Sequence, residues 1–309
     1  METMSTTWVE GQREIRYHRT PERRVHTLDE AKAFVSEVGF CHLWPIQNIE
    51  TPNLFHAIAG RARPVPHAHD DADLGTCWGW KDDSLGKRWW YYGKMLRRRA
   101  TLISLDMLPF FYACTENYGD LDDYMQEYQA GTLSSEAKQI YEALLKHGPL
   151  DTIRLRRESW MSGESSKSRF ERALVELQVG LKVVPIGVAE AGAWDYAFIY
   201  DIVQRHFPDL PGQARQIKRS EARRTLVLRY LDNAISVDRD MVRRVFHVLN
   251  WTQTELERTI VALLEEGTLR EGSVEGQKNP HLFSSRALEQ ALPSGPQAMV
   301  SNIPASRER

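Results

Sequence analysis

The sequence predicts an α+β protein that is mainly helical and is built from tandem winged helix-turn-helix modules with β-hairpin wings. Apolar residues recur at helical spacing through the middle and the end of the chain. Pairs of β-rich segments follow these helices, as the hairpin of a winged helix does. The whole order then repeats, and the third helix of each repeat ends in Leu-x-x-Gly, at Gly180 and at Gly267.

The composition is that of an ordinary globular protein. Of 309 residues, 42% are hydrophobic and 27% are charged, and this length favours two or three domains. The 40 Lys and Arg nearly balance the 42 Asp and Glu, which excludes a uniformly basic polymer binder. Three widely spaced cysteines exclude a disulfide scaffold and a zinc finger, and no apolar run approaches the ~20 residues of a membrane span. We therefore expect a soluble, cytoplasmic, nucleoid-associated protein with no membrane partner.

The first part of the chain, residues 28–117, contains helices, a loop and a block of aromatic residues. A capping box at residues 27–30 begins an amphipathic helix, and Gly39 ends it. The elements expected after it are a short helix from Thr51, a loop at 64–75, the aromatic block at 78–90, a strand at 100–104 and a helix at 105–113.

Residues 134–210 and 211–285 each carry the complete order of one module. In the first, three helices precede a hairpin with its turn at residues 190–192, and in the second a capping box at 252–255 begins the third helix. Since the third helix of a winged helix enters the major groove, we expect the helix that begins at Ser165 to contact DNA. The other segments are predicted to be a basic N-terminal arm, an acidic linker and a disordered tail, at residues 1–27, 118–133 and 286–309.

Basic residues are grouped along the chain rather than spread evenly. Residues 212–230 hold six basic residues and one acid, whereas residues 116–136 hold six acids and no Lys or Arg. Such segregation lets a nearly neutral protein present basic faces to phosphate, with solvated surface as the plain alternative. The residues predicted to bind double-stranded DNA are Lys94, Arg97, Arg98, Arg99, Lys167, Arg169, Arg172, Arg215, Lys218 and Arg219.

The chain resembles a family of bacterial tandem winged-helix proteins that includes DNA glycosylases for interstrand crosslinks and bulky alkylpurines. The resemblance rests on His147-Gly-Pro-Leu150, on the helix from Ser165, and on the wing that ends Tyr196-Ala-Phe-Ile-Tyr-Asp201. It implies a third winged helix at residues 28–117, alkylated or crosslinked duplex DNA as the partner, and the activity of a monofunctional N-glycosylase.

In that family a polar pair, Gln-x-Gln or Gln-x-Asp, is thought to position the attacking water. An N-alkylated purine is already cationic and leaves without an acid catalyst, so orienting the water is the main requirement. Counting from Gly39 places the pair at His42 and Trp44. His42 can accept a proton, but an indole offers only a donor, so the motif departs from the family pattern. The alternative is that His42 and Trp44 are packed or stacking residues. Gln47 lies nearby and is a third catalytic candidate, although it does not occupy a motif position.

Other sites and functions remain open at this stage. The base-stacking candidates are Trp80, Trp89 and Trp90, with core packing as the alternative. A weak metal-site candidate consists of His67, His69 and Asp70, with a solvated loop as the alternative. The sequence has no Gly-rich phosphate loop, GxSxG or HExxH motif, so no cofactor, nucleotide or metal is expected. Besides a glycosylase, the chain is compatible with a non-enzymatic DNA-binding or transcription-regulatory protein and with a protein-interaction scaffold.

Overall fold

The computed structural model describes residues 3–67, 70–192 and 195–291, and it confirms the mixed α+β architecture. Three times along the chain, the order is helix, short strand, two helices and β-hairpin. Each time, the short strand pairs antiparallel with the second strand of the hairpin. This is the order that we interpret as a winged helix.

A strand and a helix precede the first of these units: β1 (Thr3–Met4) and α1 (Thr6–Arg16). β1 pairs in parallel with the strand at Leu269–Val274, near the other end of the chain. The guanidinium of Arg13 is buried and donates to the carbonyl oxygens of Ala234, at 2.9 Å, and Ser236. The basic N-terminal segment therefore docks on the C-terminal unit, and its arginines find partners inside the protein: Arg13, Arg16, Arg19, Arg23 and Arg24.

The first unit begins at a capping box, because Thr27 and Glu30 each satisfy the other's backbone N–H. Its elements are α2 (Leu28–Val38), β2 (Phe40–His42), α3 (Leu54–Ala59), α4 (Ala72–Ser84), β3 (Tyr91–Lys94), β4 (Ala100–Ile103) and α5 (Leu108–Ala113). The sheet has the order β2-β4-β3. The predicted strand at 100–104 is thus one arm of a hairpin, and its partner β3 lies directly after the aromatic block.

The second unit follows a short helix, α6 (Asp123–Gln129), in the acidic linker. Its elements are α7 (Ser135–His147), β5 (Leu150–Asp151), α8 (Thr152–Glu158), α9 (Lys167–Val179), β6 (Val183–Ala189), β7 (Ala197–Ile202), α10 (Val203–His206) and α11 (Leu210–Ala214). Residues at helical spacing in α7 and α9 share one core: Ile140, Leu144, Phe170, Leu174 and Leu177. The periodicity therefore predicted the buried faces of both helices.

The third unit repeats the order with a second capping box, formed by Thr252 and Glu255. Its elements are α12 (Arg219–Ala234), β8 (Ser236–Asp238), α13 (Arg239–Phe246), α14 (Gln253–Glu265), β9 (Leu269–Val274), β10 (His281–Ser284) and α15 (Ser285–Ala291). α15 overlaps the start of the predicted tail, and the rest of that segment lies outside the described residues.

One apolar cluster connects the three units. Phe40 of the first unit packs edge-on against Phe111, with ring centroids 5.3 Å apart, and against Phe246 of the third, at 6.2 Å. Leu181 and Val203 of the second unit belong to the same cluster. Because the core is shared, the packing sets the orientation of the units relative to one another. Within the described residues, no helix is both long and apolar enough to cross a bilayer.

Candidate nucleic-acid interface

A cleft of about 730 Å³ brings together side chains from all three units. Its basic lining residues are Arg98, Arg169, Arg172, Lys182, Arg219 and Arg223. Four of them were predicted to bind DNA, one or two from each of three segments far apart in the chain. The cleft thus unites members of all three groups of predicted DNA-binding residues, while Lys94, Arg97, Arg99, Lys167, Arg215 and Lys218 lie outside its lining.

Acidic side chains enter the same cleft and pair with most of its cations. The pairs are Arg219–Glu116 at 2.7 Å, Arg223–Glu255 at 2.7 Å, Arg169–Glu136 at 3.4 Å and Lys182–Glu127 at 2.5 Å. The hydrogen bond from Arg219 lowers the pKa of the Glu116 carboxyl, so this acid stays ionised. Arg98 and Arg172 form no salt bridge with any residue that the structure describes. Those two guanidinium groups are the cleft's free cations within this part of the chain.

Arg98 belongs to a tight turn at residues 95–99, which we call the arginine turn. Arg97 and Arg98 both have left-handed backbone, with φ of 54° and 55°, a conformation that side chains disfavour. Met95 and Leu96 are fully buried beneath them. The buried pair anchors the turn, while Arg97, Arg98 and Arg99 are exposed. Strained backbone that presents charge at a cleft is typical of a functional site.

His42 supports the arginine turn from below. Its ring is 1% exposed, its Nδ1 lies 2.8 Å from the Thr51 hydroxyl, and its Nε2 lies 3.2 Å from the Leu96 carbonyl oxygen. A carbonyl can only accept, so Nε2 carries the proton and Nδ1 accepts from Thr51. Burial, opposed by the hydrogen bond to Leu96 and helped by the charges of Arg97 and Arg99, lowers the pKa of His42 to about 4. The ring is therefore neutral at pH 7, with both nitrogens committed to the protein.

The other two catalytic candidates have different surroundings. Trp44 is half-buried, with its ring 5.6 Å from that of Phe55 and 6.4 Å from that of Trp78. Gln47 is exposed on the connection to α3. His42, Trp44 and Gln47 do not line the cleft.

Sequence and structure comparisons place the chain among known proteins. A family model described as AlkZ related matches residues 25–247. The chain belongs to the AlkZ-related family. The structure resembles that of the Streptomyces sahachiroi DNA glycosylase AlkZ, with a TM-score of 0.61 and 15% sequence identity. The match covers 94% of this chain and 72% of that one, and at this identity it shows a shared fold. No curated protein matches the sequence.

The base-stacking candidates of this AlkZ-related protein belong to the apolar core of its first unit or pack against it. Trp90 is 3% exposed and its Nε1 donates to the Ser84 hydroxyl at 2.9 Å. Trp80 and Trp89 are half-buried, and the Lys32 ammonium lies 4.1 Å from a ring centroid of Trp89. These surroundings fit the core-packing alternative for Trp90 most closely.

Among the described residues two tryptophans are exposed: Trp78, which begins the aromatic block considered for base stacking, and Trp160, which was not predicted as a candidate. Trp78 covers the Lys81 ammonium, which lies 3.9 Å from its ring and is hydrogen-bonded to Tyr196 at 2.7 Å and paired with Asp82 at 2.8 Å. This cluster joins α4 to the wing of the second unit, and burial lowers the pKa of Lys81. Trp160 has no such neighbours; a lone tryptophan between two helices has no periodic signal that would single it out.

The remaining predicted residues lie on the surface. The Lys167 ammonium is 3.9 Å from Glu164, and Arg215 donates to the carbonyl oxygen of Tyr118 at 3.0 Å. His67 and Asp70 are exposed, and His69 lies outside the described residues. Among the described residues, no three His, Cys, Asp or Glu side chains converge as metal ligands. Lys182, which lines the cleft, was missed because nothing at the start of a predicted strand marks a lysine as functional.

Proposed function

We propose that this AlkZ-related protein binds double-stranded DNA that carries alkylated or crosslinked purines, with the cleft and the arginine turn as its phosphate-contacting surface. The observation that carries the proposal is the convergence of Arg98, Arg172 and Arg219 from three distant segments on one cleft. Cationic side chains that converge in this way neutralise neighbouring phosphates and release counterions. The fold shared with a DNA glycosylase and the family membership support the same partner.

The binding test reverses the two cations that lack acidic partners among the described residues. We expect the double variant Arg98→Glu, Arg172→Glu to bind a duplex at least tenfold more weakly than wild type. The slope of log affinity against log salt should fall in magnitude by about 2, since each phosphate contact contributes roughly 0.9. Fluorescence anisotropy with a labelled duplex at several salt concentrations measures both quantities.

Arg243→Glu is the matched control, because Arg243 is also exposed but pairs with Asp240 on α13 and lies outside the cleft lining. The control should retain most of the affinity. A loss of log affinity in the control half as large as that in the double variant would mean that only net charge matters, because the control reverses one charge and the double variant two. Failure of wild type to bind any duplex would refute the proposal.

The chemistry at the paired motif positions favours a second candidate, non-enzymatic recognition of DNA. Both ring nitrogens of His42 are hydrogen-bonded within the protein, and the indole of Trp44 has no acceptor atom. In this conformation neither side chain can accept a hydrogen bond from a water molecule. Half-buried Glu50, close in sequence, is held by Arg13 at 3.4 Å. We therefore expect binding without base release.

A duplex with one N7-methylguanine distinguishes non-enzymatic recognition of DNA from the activity of a glycosylase. The expected result is protein bound to this duplex with no alkali-labile sites beyond those formed without protein. Protein-dependent abasic sites would establish a glycosylase and would direct attention to another water-orienting group.

A further inference from the structure

Trp160 is the most exposed large hydrophobic side chain in the described part of the chain, at 89%. It lies in the turn between α8 and α9, the connection that leads into the helix carrying Arg169 and Arg172. A tryptophan contributes more apolar area than almost any other residue when it is buried, and here that area faces solvent. Its exposure therefore needs an explanation.

The backbone at Trp160 adopts a conformation that usually selects glycine. Its φ is +59°, its N–H donates to the Arg157 carbonyl at 3.1 Å, and the N–H of Met161 donates to the Arg156 carbonyl at 2.8 Å. This pair of hydrogen bonds is the common C-terminal cap of an α-helix, and glycine predominates at its left-handed position because it has no Cβ. Tryptophan at this position strains the turn.

Two other apolar residues with left-handed backbone show what normally offsets such strain. Leu181 has φ of 50° and Ile235 has φ of 62°, but their side chains are 0% and 6% exposed. Packing stabilises both of them. Trp160 is not buried in this way, so packing within the folded chain does not offset its backbone strain.

The turn nevertheless holds Trp160 firmly. The guanidinium of Arg156 donates to the carbonyl oxygens of Met161 at 3.1 Å and Gly163 at 2.9 Å. Ser159, fully buried, donates to the Leu155 carbonyl at 2.7 Å, and Met161 is 3% exposed. The indole therefore projects from a rigid base, which limits the entropy lost when it meets a ligand.

The chain around Trp160 is rich in basic residues. Arg154, Arg157 and Lys167 are exposed and lie within seven residues of it in the sequence, and residues 154–172 contain six basic and three acidic residues. An exposed ring among cations matches a nucleic acid, whose bases stack on aromatic faces while phosphates meet the charges.

We infer that Trp160 stacks on an unpaired nucleobase where the DNA helix is interrupted, so that the protein recognises a local defect in the duplex. The inference rests on the proposed DNA binding and adds to it a preference for interrupted over continuous duplex. Stacking on a base is worth ~1–3 kcal/mol, a factor of about five to 150 in affinity.

The test compares Trp160→Gly, Trp160→Phe and wild type on two probes of the same sequence, an intact duplex and one with a two-nucleotide gap. Wild type should prefer the gapped duplex, and Trp160→Gly should bind it about fivefold to 150-fold more weakly. Binding of the intact duplex should change less than about twofold, since phosphate contacts are untouched. Trp160→Phe, which keeps a ring, should retain most of the preference.

Thermal unfolding distinguishes base stacking from a structural role of Trp160, because a structural role predicts that Trp160→Gly lowers the unfolding temperature. Trp160→Gly should unfold at the same temperature as wild type or a higher one, because glycine relieves the left-handed strain. Tyr128→Ala is the matched control: Tyr128 is an exposed aromatic residue in the acidic linker, and its loss should leave the gap preference unchanged.

Each other outcome overturns the inference. Equal affinity of wild type and Trp160→Gly for the gapped duplex would do so, as would a lower unfolding temperature with unchanged binding. A change in sedimentation mass in Trp160→Gly would assign the side chain to a contact between copies. If wild type binds neither probe, the proposed function itself fails. If both proteins bind the gapped duplex equally well, DNA binding stands and only the role of Trp160 fails.

Discussion

Counting from Gly39 predicted that His42 stands where the family pattern has a water-positioning glutamine, but its surroundings in the structure give it a different role. The ring donates to the Leu96 carbonyl and accepts from Thr51, so it links β2 to the arginine turn. A buried carbonyl left without its donor costs ~1–3 kcal/mol. We therefore regard His42 as a residue that positions Arg97 and Arg98, and burial keeps its ring neutral at pH 7.

The pH dependence of stability tests this role of His42. The folded-state pKa is lowered to about 4, whereas an unfolded histidine titrates near 6.5, so between these values the unfolded chain binds the extra proton. The stability that depends on neutral His42 is complete above pH 6.5 and is lost as the pH falls toward 4, by up to roughly 3 kcal/mol. In urea unfolding, wild type should lose stability relative to His42→Gln over this window.

Thr51→Val is the control for that measurement. It removes the hydroxyl but keeps the buried imidazole, so its stability should be lower at every pH while the dependence between pH 6.5 and 4 persists. Parallel curves for wild type and His42→Gln would contradict the buried, neutral ring.

At the scale of elements, the junction between α2 and β2 depends on one glycine. Gly39 has φ of +78°, and a Cβ built there would lie 2.9 Å from Cγ of Met107 and 3.1 Å from Cγ of Arg229. Gly39→Ala should therefore destabilise the fold by about 1–3 kcal/mol through backbone strain, plus any cost of shifting Met107. Chemical denaturation measures the change.

Gly11 is the matched control for Gly39. It lies inside α1, and a Cβ there would meet nothing within 4 Å. Gly11→Ala should stabilise the protein by ~0.5–1 kcal/mol, because alanine loses less conformational entropy in a helix. Destabilisation of similar size in both variants would show that the Gly39 junction is not special.

Local patterns predicted the elements, whereas the site depends on contacts that no local pattern encodes. The capping boxes at Thr27 and Thr252 and the apolar stripes of α7, α9 and α14 were read correctly because their signals lie within a few residues. The arginine turn was not predicted, since left-handed arginines have no sequence signature. Nor was the engagement of His42, whose partners lie 9 and 54 residues away.

At the scale of the whole molecule, the segregated charge has two roles. The acidic segment at 116–136, of which residues 118–133 were predicted to be a linker, supplies Glu116, Glu127 and Glu136 as counter-charges in the cleft. The sequence showed both charge blocks, but their pairing requires the three units to fold on a shared core. The cleft is therefore less basic than the arginine clusters alone suggest, and the acids should restrain its attraction for phosphate.

Removing one counter-charge tests that restraint. Glu116 pairs with Arg219 across the cleft, and both side chains are about half exposed, at 51% and 44%, so the pair contributes little to stability. Glu116→Gln should free Arg219 and tighten duplex binding about threefold to fivefold, the equivalent of roughly 1 kcal/mol at most. The salt slope should steepen by about 0.9 if Arg219 gains one phosphate.

Glu266→Gln is the matched control, because it frees Arg224 from an exposed pair outside the cleft lining. An equal gain in both variants would show that DNA responds to net charge alone, and no gain in Glu116→Gln would mean that Arg219 does not reach the phosphates.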